Sequence, residues 1–193
     1  MPADQTTTGV SLDGLGWSWT RSPVHVDGPS ATAMSWLCGP DSDLWRLTAG
    51  GPIKHDAYAY VHGVATDFVL EGEFDARLAS RYDQLGFVVW GGEQRWLKTG
   101  FELDGGEVLV GAVHTASHSD WSCSASALPG AIRVRRSGGT VEVSSREGRH
   151  SWRMIRQLFL DGPVSVGPYS AAPLGPGFRA SLTGFAMQHD PPT

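Results

Sequence analysis

The sequence has little of several features that would identify a function by themselves. It contains only two cysteines, Cys38 and Cys123, and only two lysines, Lys54 and Lys98. Two distant cysteines in a chain without a secretory signal favour free thiols over a bridge. Fifteen basic residues against twenty acidic ones give a net charge of −5. This balance argues against a nucleic-acid partner, which would need a basic surface.

Long apolar runs are also missing. No segment approaches the roughly 18 apolar residues that cross a bilayer. The first ten residues, MPADQTTTGV, have neither the basic nor the apolar region of a secretory signal. We therefore expect a cytoplasmic protein that does not bind membranes.

Glycine and proline are abundant, with 25 and 12 residues among 193, and 40% of the chain is hydrophobic. Turn-forming groups such as Asp104-Gly105-Gly106 and Asp161-Gly162-Pro163 separate short runs, most of which alternate apolar and polar residues. This pattern predicts short antiparallel strands joined by tight turns, with few or no helices. The predicted strands are 68–78, 85–90, 95–103, 107–115, 131–137, 140–145, 152–160, 164–171 and 178–188.

The succession of strands indicates an all-β fold, an antiparallel sandwich of two sheets. The run 85–90 is nearly all apolar, as a strand covered on both faces would be. One domain is expected over residues 1–193, with an irregular segment over 1–16 and a short tail over 189–193. The chain before Leu44 is less regular, and we expect one or two outer strands there.

Motifs along the chain indicate the fold more closely. They lie in the segments 43–46, 54–58, 67–68, 82–86, 96–102, 119–122, 132–136, 152–156, Gly167 and 170–178. This series resembles a domain-of-unknown-function family that includes the regulation-of-enolase proteins, within the concanavalin A-like lectin/glucanase superfamily. The resemblance implies a bent jelly-roll sandwich with a concave front sheet, where superfamily members hold sugars, and it implies no activity.

The strand 95–103 carries the main candidate site. Alternation places Trp96, Lys98 and Glu102 on one face, with neighbouring same-face positions about 7 Å apart. Sugar recognition needs an aromatic surface for the C–H face and planar polar groups for the hydroxyls. The ligand-binding candidates are Trp96, Lys98, Gln84, Trp121, Arg156 and His55, and the candidates for proton transfer are Glu102, Asp83, His114 and Asp120.

Two alternatives give these residues purely structural roles. Lys98 and Glu102 would form a structural ion pair on a solvated face, with the tryptophans in the core. The arginines of the last third would lie on a solvated sheet and pair with Glu142 and Glu147. Arg156 alternates with Trp152 and should point inward, where a buried cation needs a partner. That partner would be a ligand, Asp83 or Glu102.

Other clusters carry little chemistry. Glu71, Glu73 and Asp75 share a strand face, but their spacing departs from the carboxylate pattern of lectin-fold glucanases, so a solvated face is favoured. The spacing of His114, His118 and Asp120 does not suit zinc outside a helix. We therefore expect no metal and no cofactor.

Three functions stay open at this point. The preferred one is lectin-like binding of a sugar or sugar-like small metabolite on the concave sheet, by a monomer or homodimer. The second is a small lectin-fold enzyme of isomerase, lyase or cyclase type in sugar or secondary-metabolite metabolism, so whether the protein is an enzyme stays open. The third is a regulatory protein-interaction domain, as the family name suggests. The first two require Trp96, Lys98, Glu102 and Arg156 to meet in one open hollow.

Overall fold

The structure, a computed structural model, describes residues 8–189, and most of them lie in strands. One 3₁₀ turn, Thr48–Gly50, is the only helical element in this range, and no described helix could span a membrane. The all-β prediction is therefore confirmed. The strands are β1 (Thr8–Val10), β2 (Trp17–Trp19), β3 (Val26–Asp27), β4 (Met34–Cys38), β5 (Leu44–Arg46), β6 (Ile53–His55), β7 (Tyr58–Val64), β8 (Phe68–Ala76), β9 (Gln84–Trp90), β10 (Arg95–Asp104), β11 (Glu107–Ala116), β12 (His118–Ala125), β13 (Gly130–Ser137), β14 (Thr140–Glu147), β15 (Arg153–Phe159), β16 (Val164–Ala171) and β17 (Phe178–His189).

Two large antiparallel sheets form the body of the fold. The front sheet has the order β12-β11-β10-β9-β16-β7-β2. The back sheet has the order β15-β14-β13-β8-β17-β4-β3, and β1 pairs with β17. Strands β5 and β6 pair only with each other and form a hairpin on the outer face of the front sheet, which we call the front hairpin.

Alternation along the strands fills the space between the two sheets. Leu70 and Phe74 of β8 face Leu85, Phe87 and Val89 of β9 across one apolar cluster. The rings of Phe74 and Phe87 meet edge to face at 4.8 Å between centroids, which is a favourable aromatic geometry. This contact joins the middles of the two sheets.

A second apolar cluster lies on the outer face of the front sheet. Leu44 of the front hairpin packs there with Val88, Trp96, Val113 and Tyr169. Strand β9 is therefore covered on both faces, which explains its continuous apolar sequence. The front hairpin thus hides part of the sheet and leaves a hollow beside it.

Two glycines bring the central strands of the front sheet unusually close. Gly86 of β9 and Gly100 of β10 are direct partners in the register. A Cβ atom at Gly86 would lie 2.0 Å from the carbonyl oxygen of Thr99, and one at Gly100 would lie 2.1 Å from that of Leu85. Only glycine fits at this approach.

The predicted strands agree with the observed ones to within two residues at each end. The strands that were not predicted lie in the N-terminal part of the chain or in a polar segment. Residues 118–125, where no strand is predicted, form β12, an edge strand rich in serine. Four strands, rather than one or two, precede Leu44. Residues 8–10 of the segment expected to be irregular form β1, and His189 of the expected tail ends β17. Residues 1–7 and 190–193 lie outside the described part.

Candidate functional site

A cavity of about 450 Å³ opens between the front sheet and the front hairpin. We call it the front pocket. Gln84, Lys98 and Glu102 contribute to it from β9 and β10, and Trp45 and Lys54 from the hairpin. Its other lining residues are Ser42, Asp43, Thr48, Ala49, Gly51, Pro52, Tyr82, Trp121, Pro173 and Leu174.

Lys98 is a buried cation in this pocket, with only 3% of its surface exposed. Its Nζ lies 3.2 Å from Oδ1 of Asp43 and 5.9 Å from the centre of the Trp45 ring. The same carboxylate oxygen accepts hydrogen bonds from the backbone N–H of Leu44 at 2.7 Å and from Nε2 of Gln84 at 3.4 Å. The charge of Lys98 is therefore compensated by the chain itself.

Gln84 is held at both ends of its amide. Its Nε2 also donates to the carbonyl oxygen of Tyr82 at 3.1 Å, and its Oε1 accepts from the Tyr169 hydroxyl at 3.3 Å. Burial, with Glu102 and Asp43 nearby, raises the pKa of Tyr169 well above its usual value, so this phenol stays a hydrogen-bond donor. Gln84 is thus a fixed part of the pocket floor.

Glu102 is the acid that this network leaves free. Its half-buried carboxyl has no hydrogen-bond or ion-pair partner among residues 8–189. Burial raises the pKa of Glu102 to about 7; Lys98 opposes this shift, and Asp43 and Asp104 add to it. A carboxyl with this pKa exchanges its proton near neutral pH, and it is available to a ligand.

Trp45 and Trp121 supply the aromatic surface of the front pocket. The indole N–H of Trp45 donates to the carbonyl oxygen of Thr48 at 3.1 Å, which holds the ring within the hairpin. Gly51 leaves room for this ring, since a Cβ there would lie 2.5 Å from Nε1 of Trp45. Trp121 belongs to β12, opposite Val113.

Four predicted site residues therefore share the pocket: Gln84, Lys98, Glu102 and Trp121. Lys98 pairs with Asp43 rather than with Glu102, so the alternative of a structural ion pair between Lys98 and Glu102 is wrong.

Trp96 does not line the pocket, contrary to expectation. It is fully buried and stacks on Trp90 with 6.2 Å between the ring centroids. Leu44 belongs to the same apolar cluster, so the front hairpin converts this part of the sheet face into core.

His55 and Asp83 also lie outside the pocket lining. His55 sits edge-on to Trp90 at 5.4 Å. Asp83 is buried, and its Oδ2 accepts the backbone N–H groups of Ala79 and Ser80 at 3.1 and 2.9 Å. Asp83 thereby holds a turn, which is a structural role.

His114, Asp120 and Arg156 form a separate cluster on the inner face of the front sheet. His114 and Asp120 are register partners, and Nη2 of Arg156 lies 2.8 Å from Oδ2 of Asp120. Burial and Arg156 lower the pKa of His114, and Asp120 opposes them. The expected convergence of Arg156 with Glu102 is wrong, because alternation turns His114 and Asp120 towards β15 of the back sheet, and Asp120 is the partner of Arg156.

The acidic row of β8 lies on the outer face of the back sheet. Glu71 pairs there with Arg133 at 2.6 Å, and the guanidinium groups of Arg133 and Arg146 lie 4.2 and 4.6 Å from the Trp152 ring centre. The expected pairing of these arginines with Glu142 and Glu147 is wrong. Instead, Glu142 accepts from Gln157 and Glu147 from Ser126.

Both cysteines are free thiols, Cys38 buried and Cys123 exposed. Within residues 8–189 no group of three or more His, Cys, Asp and Glu side chains is arranged to hold a metal ion.

Sequence reasoning missed Asp43, Trp45, Tyr82 and Tyr169 as pocket or network residues. Asp43 and Trp45 lie in the segment 43–46 and Tyr82 in the segment 82–86, both of which carry part of the family resemblance, and this was the available signal. Nothing local in the sequence shows that this segment folds back over β10.

Two stacked antiparallel sheets with an outer pocket define a lectin-like β-sandwich, a fold class that also occurs within glycosidases. The Griffonia simplicifolia lectin I-B4, in its metal-free form, superposes with a TM-score of 0.58 at 10% identity over 93% of this chain and 98% of the lectin. The GH43 BlXynB protein from Bacillus licheniformis gives 0.73 at 13% identity, over 95% of this chain but only 39% of its own.

The chain belongs to the family described as "Protein of unknown function (DUF1349)", which it matches over residues 19–190. It is 24% identical over 177 residues to the Saccharomyces cerevisiae (strain ATCC 204508 / S288c) protein "Regulation of enolase protein 1", covering 88% of each chain. The crystal structure of a functionally unknown protein from Saccharomyces cerevisiae has a TM-score of 0.86 at 21% identity, over 95% of this chain and all of that one. The resemblance stated from the sequence is therefore confirmed.

Proposed function

We propose that the front pocket binds a sugar or sugar-like small metabolite. The observation that carries this proposal is a half-buried, unpaired Glu102 carboxyl in a cavity that also exposes Trp45 and Trp121. A carboxyl accepts hydrogen bonds from hydroxyl groups, and tryptophan faces suit the C–H face of a ring. The cavity of about 450 Å³ lies within the usual range of small-molecule sites, roughly 300–1,000 Å³.

The test is a titration of the purified protein with monosaccharides and disaccharides, followed by calorimetry. Trp45→Ala should abolish binding because it removes an aromatic wall of the pocket. Trp152→Ala is the matched control, since Trp152 lies on the outer face of the back sheet against Arg133 and Arg146. Failure of the wild type to bind any saccharide, or equal binding by both variants, would overturn the proposal.

An enzymatic role is the second candidate, and the pKa of Glu102 favours it. A carboxyl with a pKa of about 7 suits general acid–base chemistry at neutral pH. Lys98 is close enough to this acid to affect its pKa, and it would stabilise developing negative charge. NMR of the same saccharides after incubation would show product signals, and Glu102→Gln should remove them. Unchanged spectra for every saccharide that binds would leave binding alone.

A regulatory role is supported only by the name of the yeast relative, "Regulation of enolase protein 1". It predicts a protein partner rather than a small ligand. Sedimentation of the chain with purified enolase would test it directly, and absence of a complex at micromolar concentrations would argue against it.

A further inference from the structure

The cations around the front pocket all have ion-pair partners, but one of its acids has none among residues 8–189. Two cations line it, Lys54 and Lys98, and Arg81 lies against the ring of the lining residue Tyr82; each already has its own acid. The pairs are Lys98 with Asp43 at 3.2 Å, Lys54 with Asp56 at 3.3 Å and Arg81 with Asp104 at 2.7 Å. Within the described range, Glu102 is the carboxyl of this set that has no cation.

Glu102, when ionised, is therefore the one charge among these groups without an ion-pair partner in the described part of the chain, since Lys98 pairs with Asp43 and Lys54 with Asp56. The rings of Trp45 and Tyr82 already lie near Lys98 and Arg81, at 5.9 and 4.5 Å, and Trp121 adds a further ring face to the pocket. Such faces attract cations through their quadrupole. A neutral ligand would give Glu102 hydrogen bonds but no charge, and an anionic ligand would be repelled. Electrostatic complementarity favours a cation.

Lys98 does not occupy the place of that cation. It lies four residues before Glu102 on the same face of β10, which corresponds to about 13 Å between their Cα atoms. Gly100 lies between them and contributes no side chain, and Nζ of Lys98 is turned towards Asp43 and Trp45. A cationic group at the Glu102 end of the pocket would not need to displace it.

Among the charged groups near Glu102, Lys98 has the largest effect on its pKa and lowers it. Asp43 and Asp104 raise its pKa. Glu102 in turn helps to raise the pKa values of Tyr169 and Cys123, so both of these groups stay protonated and uncharged near neutral pH. Leu109 and Gln84, its partners on β11 and β9, carry no charge.

Resting on the proposed function, we propose that the ligand of the front pocket is an amino sugar or a cyclic amine of similar size, whose protonated nitrogen pairs with Glu102. Its ring would lie against the tryptophans of the pocket. The ammonium group would pair with the one acid among these charged groups that the described residues leave unpaired. The pairing involves no covalent change.

Calorimetry with matched ligands tests the charge requirement. The ligands are glucosamine, galactosamine, glucose, galactose, N-acetylglucosamine and glucuronate, at pH 7.5. At least one amine should bind about tenfold more tightly than its neutral counterpart, since charge-assisted hydrogen bonds are roughly twice as strong as neutral ones. Glucuronate should bind most weakly.

Two variants assign the effect to Glu102. Glu102→Gln should remove the preference for the amine while keeping binding of the neutral sugar. Glu93→Gln removes an acid from an exposed turn at the far end of β10 and should keep the preference. A preference that survives Glu102→Gln would contradict the assignment.

The outcomes separate the two proposals. Neutral sugars binding as tightly as amines, or glucuronate binding more tightly than both, would overturn the amine inference and leave sugar binding intact. No binding by any of the six ligands would overturn both.

Discussion

The ion pair between Asp43 and Lys98 fastens the base of the front hairpin to the middle of the front sheet. Nζ and Oδ1 are 3.2 Å apart, although the residues are 55 positions apart in the chain. Lys98→Met would leave the Asp43 carboxylate without its cation in a largely buried place. We expect a loss of about 3 kcal/mol in the free energy of unfolding, measured by urea denaturation.

The control for this loss is the exposed pair Lys54–Asp56, in which each side chain is about two-fifths exposed. Lys54→Met should cost less than about 0.5 kcal/mol. Adding Asp43→Asn to Lys98→Met should recover part of the loss, because the unpaired charge disappears. Equal losses for the two lysine variants would show that burial does not set the strength of the pair.

Glu102 should make the stability of the protein depend on pH. Its pKa rises from 4.5 to about 7 on folding, so between these values the folded state binds more protons than the unfolded state. The free energy of unfolding should therefore fall as the pH rises from about 4.5 to 7. Glu102→Gln should be more stable than the wild type at pH 8, by about 1–2 kcal/mol.

Urea denaturation at several pH values measures this difference. The stability difference between wild type and Glu102→Gln should disappear near pH 4, where the carboxyl is protonated in both states. A difference that is the same at pH 4 and pH 8 would mean that the Glu102 charge is not desolvated.

Because β9 and β10 approach each other closely, we expect a substitution at Gly86 to destabilise the protein strongly. A Cβ there would lie 2.0 Å from a carbonyl oxygen, so Gly86→Ala forces the two strands apart. We expect a loss of at least about 3 kcal/mol by thermal or urea unfolding. Gly63→Ala, on β7 of the same sheet with nothing within 4 Å of a Cβ, should change stability by less than about 0.5 kcal/mol.

The cluster on the inner face should behave independently of the front pocket. Asp120 raises the pKa of His114, while Arg156 lowers it. NMR titration should therefore show a lower His114 pKa in Asp120→Asn and a higher one in Arg156→Met. Neither substitution should alter ligand affinity in the front pocket, and a change there would contradict the separation of the two faces.

The sequence predicts the sandwich well because alternation and turn residues are local signals. The face shared by Lys98 and Glu102 follows from the two-residue period of β10 alone. Strand β12 lacks the apolar alternation that marks the other strands, since an edge strand needs few apolar residues. Only Ser119 of its eight residues is buried.

The candidate site is harder to predict because it depends on contacts between distant segments. Asp43, rather than Glu102, becomes the partner of Lys98 through a fold-back of the chain that no local pattern encodes. Trp96 and Arg156 illustrate the same point. Their strand faces follow from periodicity, but the front hairpin buries Trp96 and the edge strand β15 carries Arg156 to Asp120.

The front hairpin pairs with neither large sheet, yet it supplies one side of the pocket. Substitutions and length changes between residues 47 and 52 can therefore reshape what the pocket accepts while the two sheets keep their register. Under the proposed function, related chains with the same sandwich would select different small molecules through this one short segment. Ligand preference would then be separable from the stability of the scaffold.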